Sequence, residues 1–226
     1  MSIVTLGMWV CVVAQPSYEP TSNYTVQNIE GWVVHVHKSL LDDKKELGQK
    51  TLELLRVKLY EANRVLPKRA LETLHNVHFW VEADSKQVTG MCYHPSREWL
   101  VEHGVNPDKA KSIELGNPRN FLSWSQHQPA MVIHELVHAY HHQVLGYDNR
   151  DIATAYKRAV ESKSYESVLF YDGRKLRAYA LNSDQEYFAE LSEAYFNTND
   201  FYPFVRPEIM QHDPGMYEVL KKVWAN

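Results

Sequence analysis

Residues 131–142 read MVIHELVHAYHH, four histidines and one glutamate set among Met131, Val132, Ile133, Leu136, Val137 and Ala139. An apolar stretch of this length predicts a buried helix, and imidazoles or carboxylates buried there cost free energy unless something satisfies them. On a helix, positions i and i+4 share a face, so His134 and His138 can reach one metal ion. Glu135 follows the first of them directly, where its carboxylate addresses a metal-bound water instead of the metal. The spacing His134-Glu135-Leu136-Val137-His138 therefore predicts a single Zn2+ and not merely a polar core cluster.

Two histidines leave a catalytic zinc site one protein ligand short. A continued HExxHxxGxxH pattern would need Gly at 141 and His at 144, but the chain has His141 and Val144. The third ligand must come from elsewhere. A second helix, SDQEYFAELSEAYF with Ser183 or Asp184 as its cap, offers Glu186, Glu190 and Glu193. Glu186 and Glu190 stand one turn apart, which suits a division of labour: Glu186 ligates, and Glu190 holds a histidine by its remaining N–H.

HELVHAYHH followed by AYALNSDQEYFAELSEAYF resembles the peptidase domain of the anthrax lethal factor-like zinc endopeptidases, a branch of the gluzincins. The resemblance covers roughly residues 130–196 and is specific only through its motifs taken together. It implies a zincin-like α+β fold, Glu186 as zinc ligand and Glu190 as support for a histidine ligand. Tyr179, seven residues ahead of Glu186, is implied as the oxyanion donor. The long gap between His138 and Glu186 is similar to that family and longer than in thermolysin-like enzymes. The toxin's translocation and receptor-binding activities are not implied.

The expected chemistry is peptide-bond hydrolysis of a peptide or protein substrate, with Glu135 as general base. His141, two turns beyond His134, is a candidate cleft-lining residue, though a helix-surface histidine fits the spacing as well. His142, His94 and His127 have no spacing that recommends them. Two other readings compete. A deformylase-like amide hydrolase would use Cys92 as third ligand, but MCYHPS lacks the Gly-Cys setting of that family. A secreted, non-catalytic metal-binding module is opposed by the retention of Glu135, which is no ligand.

The rest of the chain is consistent with one α+β domain. Its 226 residues suffice for a sizeable core, with 44% hydrophobic and 23% charged residues. The net charge of −4 and pI near 6.3 show no basic surplus of the kind that nucleic-acid binders carry. MSIVTLGMWVCVVAQ reads as a signal peptide over residues 1–14 with a weak n-region, too short for a stable membrane span, and predicts a secreted or extracytoplasmic protein. Loss of Cys11 with that peptide leaves Cys92 alone and no disulfide. NYT at Asn23 fits a glycosylation triplet, relevant only in a eukaryotic secretory route.

Residues 15–28 are polar and turn-rich, read as a leader into a single zinc metallopeptidase domain over 29–226. GWVVHVHKSL, VHFWVEA and KSIEL are expected strands, the last being the sheet edge on which an extended substrate pairs. Leu52, Leu55, Leu59, Ala62 and Leu66 predict an amphipathic helix from Asp42 to Leu66, stopped by Pro67. Further helices are expected over 127–146, from about Asp151, and after Asp213-Pro214-Gly215. SVLFYDGRKLRAYA predicts a hairpin around Asp172-Gly173.

Overall fold

The computed structural model describes residues 18–225, so the expected signal peptide lies outside the described residues. It is a mixed α+β structure, 54% helix and 14% strand, built on one small sheet. Strands β1 (Tyr24–Ile29), β2 (Trp32–His37), β3 (Phe79–Val81), β4 (Met91–His94) and β5 (Ser112–Leu115) lie in the order β1-β2-β3-β5-β4. The β2–β3 and β3–β5 pairs are parallel, and both outer pairs are antiparallel. The presumed leader is therefore partly structural. Tyr24–Ile29 forms an edge strand, turned into β2 through Glu30 and Gly31, both at positive φ.

The register gives the sheet two unlike faces. Val34 pairs with Phe79, Phe79 with Ile113, and Ile113 with Tyr93, which puts them on one face with Val36, Val81, Leu115 and Met91. All of these except Met91 are buried, and they join Leu55, Leu59 and Ala62 of helix α1 (Lys45–Val65) in the core. The alternate residues His35, Trp80, Glu114 and Cys92 occupy the other face. That face is polar: Lys109 bridges Glu82 (2.7 Å) and Glu114 (3.0 Å), and His94 meets Glu114 at 2.8 Å.

KSIEL is not the edge. β5 lies between β3 and β4, every residue of it is buried, and Glu114 survives there because Lys109 and His94 compensate its charge. The edge beside the histidine helix is β4. Gly116 N–H donates to the Gly90 carbonyl, so backbone groups of residues 90, 92 and 94 face β5. Met91 and Tyr93 turn theirs outward.

Short helices α2 (Lys68–Leu74), α3 (Arg97–Glu102) and α4 (Pro118–Trp124) fill the connections, and the histidine helix α5 (Met131–Tyr140) follows. It runs into one π-helical turn, His141–Leu145, and stops at Gly146, φ 78°. Helix α6 (Arg150–Ser162) leads to the expected hairpin, β6 (Val168–Leu169) against β7 (Lys175–Leu176). Helix α7 (Asp184–Phe196) packs against α5, and α8 (Arg206–His212) and α9 (Pro214–Val223) close the chain over its far side. Among the described residues no helix is long and apolar enough to cross a membrane.

Candidate metal centre

Helix α7 starts on a Ser-x-x-Glu pattern, Ser183 to Glu186. Ser183 Oγ accepts from Glu186 N–H at 3.1 Å, half of a capping box. The other half is missing because the Glu186 carboxylate turns to α5 instead. Glu186 Oε2 lies 3.1 Å from His134 Nε2 and 3.3 Å from His138 Nε2, and the two Nε2 atoms are 3.0 Å apart. Three donor atoms from two helices thus converge on one point, partly shielded from solvent. His134 and His138 are each 12% exposed and Glu186 22%.

Tetrahedral ligands at about 2.0–2.1 Å from zinc stand roughly 3.3 Å from one another, close to the observed triangle. Protonation points the same way. His134 Nδ1 donates to Glu193 Oε1 at 2.6 Å, which makes Nε2, facing Glu186 and His138, the nitrogen whose proton a metal ion would displace. Burial alone would disfavour a charged His134, yet hydrogen bonds to Glu186 and Glu193 hold its pKa well above the usual value. Burial likewise opposes ionisation of Glu186, but both histidines keep it well below the carboxylate range. The pocket attracts positive charge, and the N2O donor set suits zinc.

Glu193, not Glu190, holds His134. Glu190 Oε1 is 4.0 Å from Nδ1, and its Oε2 accepts instead from Asn199 Nδ2 at 3.2 Å. Seven residues from Glu186, Glu193 falls on the same face two turns on, a spacing that admits it beside Glu190 without choosing between them. His141 neither lines the cleft nor reaches the surface. It is 1% exposed, edge-on to Phe188 and Tyr147, and burial followed by His138 lowers its pKa to about 4.

Glu135 is buried, and its Oε2 accepts the outward Tyr93 N–H of β4 at 2.8 Å. The edge strand thereby fixes the carboxylate beside the ligands without making it one. Tyr179 opens the 3₁₀ turn after the hairpin, 46% exposed, and lines the cleft with His134 and Glu135. Burial and then Glu186 raise its pKa, which keeps it a hydroxyl donor. Tyr147, which the sequence did not single out, lines the opposite wall beside Glu186, its pKa pushed up to about 12, chiefly by burial.

Cys92 shares the polar sheet face with Glu114, opposite Met91 and Tyr93. Burial and then Glu135 push its thiol up to about 12. The residue groups able to hold a metal, among the described residues, contain no cysteine.

No family model matches the chain, and no curated protein or solved structure is significantly similar to it.

Proposed function

We propose that this protein is a zinc-dependent endopeptidase of zincin-like fold. The observation that carries the reading is the His134–His138–Glu186 triangle beside a buried glutamate that ligates nothing. A purely structural zinc is normally closed by four protein ligands, whereas three leave a position open to chemistry. His134, His138 and Glu186 would hold the zinc ion, which would supply Lewis acidity toward a carbonyl oxygen and a lowered pKa for a water molecule.

The chain's own residues supply the rest. Glu135 accepts a proton from water and returns it to the leaving amine. Tyr179 donates its hydroxyl hydrogen to the developing oxyanion. An extended substrate pairs with β4, where the outward N–H and C=O of Met91 face the cleft and Met91 lines it on both sides. The export signal expected over residues 1–14 would put such a substrate outside the cytoplasm.

Glu135→Gln is the decisive test, because the amide oxygen still accepts Tyr93 N–H and the site keeps its shape. Zinc content is expected to match wild type, while hydrolysis of a peptide pool, followed by mass spectrometry, disappears. Equal hydrolysis by variant and wild type defeats the proposal.

A further inference from the structure

A cavity of about 320 Å³ adjoins the candidate metal centre on the side of His134 and Glu135. Its apolar walls come from Met91, Trp124, Met131, Phe170 and Phe201. Besides Glu135, three carboxylates line it, Glu190, Glu193 and Asp200, each only 4–5% exposed. Neither lysine nor arginine does.

These carboxylates are incompletely matched. Glu193 is taken by His134, and Asp200 Oδ2 accepts from Gln128 Nε2 at 2.9 Å. Glu190 accepts only from Asn199, through Oε2. Among the described residues its Oε1 has no hydrogen bond, since the one imidazole proton nearby, 4.0 Å away on His134 Nδ1, goes to Glu193. A carboxylate buried to this degree and lining a cavity is built to meet a donor that enters it. The aromatic and methionine walls suit the other half of such a ligand, an aliphatic stem carrying a cation.

The direction in which a substrate pairs with β4 sets which of its residues reaches the cavity. Thr89, Gly90 and Met91 border it, whereas Cys92, Tyr93 and Pro95 border the neighbouring cavity by His138 and Tyr147. A substrate antiparallel to β4 runs from the second cavity toward the first. The first therefore receives the residue that becomes the new N-terminus. Resting on the peptidase reading, we infer that this cavity selects a lysine or arginine side chain immediately C-terminal to the scissile bond.

Two measurements on the full-length, zinc-loaded protein test this. In the first, new N-termini released from a peptide library are sequenced by mass spectrometry. Lysine and arginine are expected to exceed leucine there by roughly tenfold or more. Glu190→Gln, with Asp200→Asn as a second variant should the first misfold, is expected to bring the ratio to within about threefold while zinc content holds. In the second, short peptides with N-terminal lysine or leucine are titrated calorimetrically into Glu135→Gln protein, where lysine is expected to bind tighter. Cleavage with an apolar or acidic preference overturns the pocket and leaves the peptidase. A lysine preference in binding with no cleavage by wild type overturns the peptidase and leaves the pocket. Absence of any lysine preference in binding overturns the pocket outright.

Discussion

Glu193 and Glu190 sit one turn apart on α7, and the geometry assigns a large effect on metal affinity to the first and little to the second. Glu193 Oε1 accepts from His134 Nδ1 at 2.6 Å, whereas Glu190 stands 4.0 Å from that atom. A carboxylate behind a ligating histidine fixes the tautomer and raises the basicity of the ligating nitrogen. Glu193→Gln keeps the shape and a neutral acceptor but removes the charge, and is expected to weaken zinc binding about 10- to 100-fold. That corresponds to about 1.4–2.7 kcal/mol, the range of a charge-assisted hydrogen bond.

Glu190→Gln removes no hydrogen bond to a ligand, so its zinc affinity should stay within about threefold of wild type. Stability of the metal-free protein supplies a second sign. Burial, and for Glu190 the repulsion of Glu193 next, pushes both carboxyls above their usual pKa. Removing the Glu190 carboxylate relieves that repulsion, so metal-free Glu190→Gln should unfold in urea no earlier than wild type, whereas metal-free Glu193→Gln loses the buried pair with His134 and should unfold earlier. Competition against a chromogenic chelator at fixed pH gives the affinities. Glu190→Gln weakening zinc more than Glu193→Gln, or Glu193→Gln matching wild type, would refute the assignment of the histidine's partner.

Tyr179→Phe should keep zinc and lower kcat by about 10²-fold with a smaller change in KM, read from initial rates on one cleaved peptide. Loss of zinc from that variant would instead make the tyrosine structural. Burial works against ionisation of Glu114, but His94 and Lys109 hold its pKa down at about 2, below the ordinary 4.5. A depressed carboxylate contributes stability that is complete above its unfolded value and lost as pH falls from 4.5 toward 2, at most about 3 kcal/mol here. Glu114→Gln should therefore be less stable at pH 7 and show a flatter decline in urea stability across that acid range, and an unchanged slope would count against the buried network.

Periodicity made the large elements legible. Leu55, Leu59 and Ala62 are fully buried on α1, and the alternation in β2 buries Trp32, Val34 and Val36. What escaped was structure made by partners distant in sequence. β1 is an edge strand with only Tyr24 and Ile29 buried, so its sequence is as polar as a leader. β4 has four residues, too few for a pattern, yet it supplies the N–H that holds Glu135. KSIEL carries a glutamate that suggests an exposed edge, and only Lys109 and His94, brought in by the fold, permit it inside. At the metal centre the ligand types followed from spacing. The choice between Glu190 and Glu193 did not, because both lie on the ligand-bearing face and only their distances to His134 Nδ1, 4.0 and 2.6 Å, separate them.

Helix α7 shows why that face had to turn inward. Asp184, Glu186, Glu190 and Glu193 read as a solvated stripe, the ordinary place for such residues. The remaining surface of the helix is more demanding: Tyr187, Phe188, Leu191 and Ala194 are at most 1% exposed, with Phe188 stacked near Trp224 beyond α9 and Tyr187 hydrogen-bonded to Asp213. With apolar side chains claiming cover on the far side, the carboxylates are carried against α5 and its imidazoles. A stability-driven sequence would not keep three acids and two histidines there, since burying them unpaired costs several kcal/mol each (roughly, for a charge). The local conflict is concentrated at one point, where His134, His138 and Glu186 could together hold the divalent cation that would resolve it.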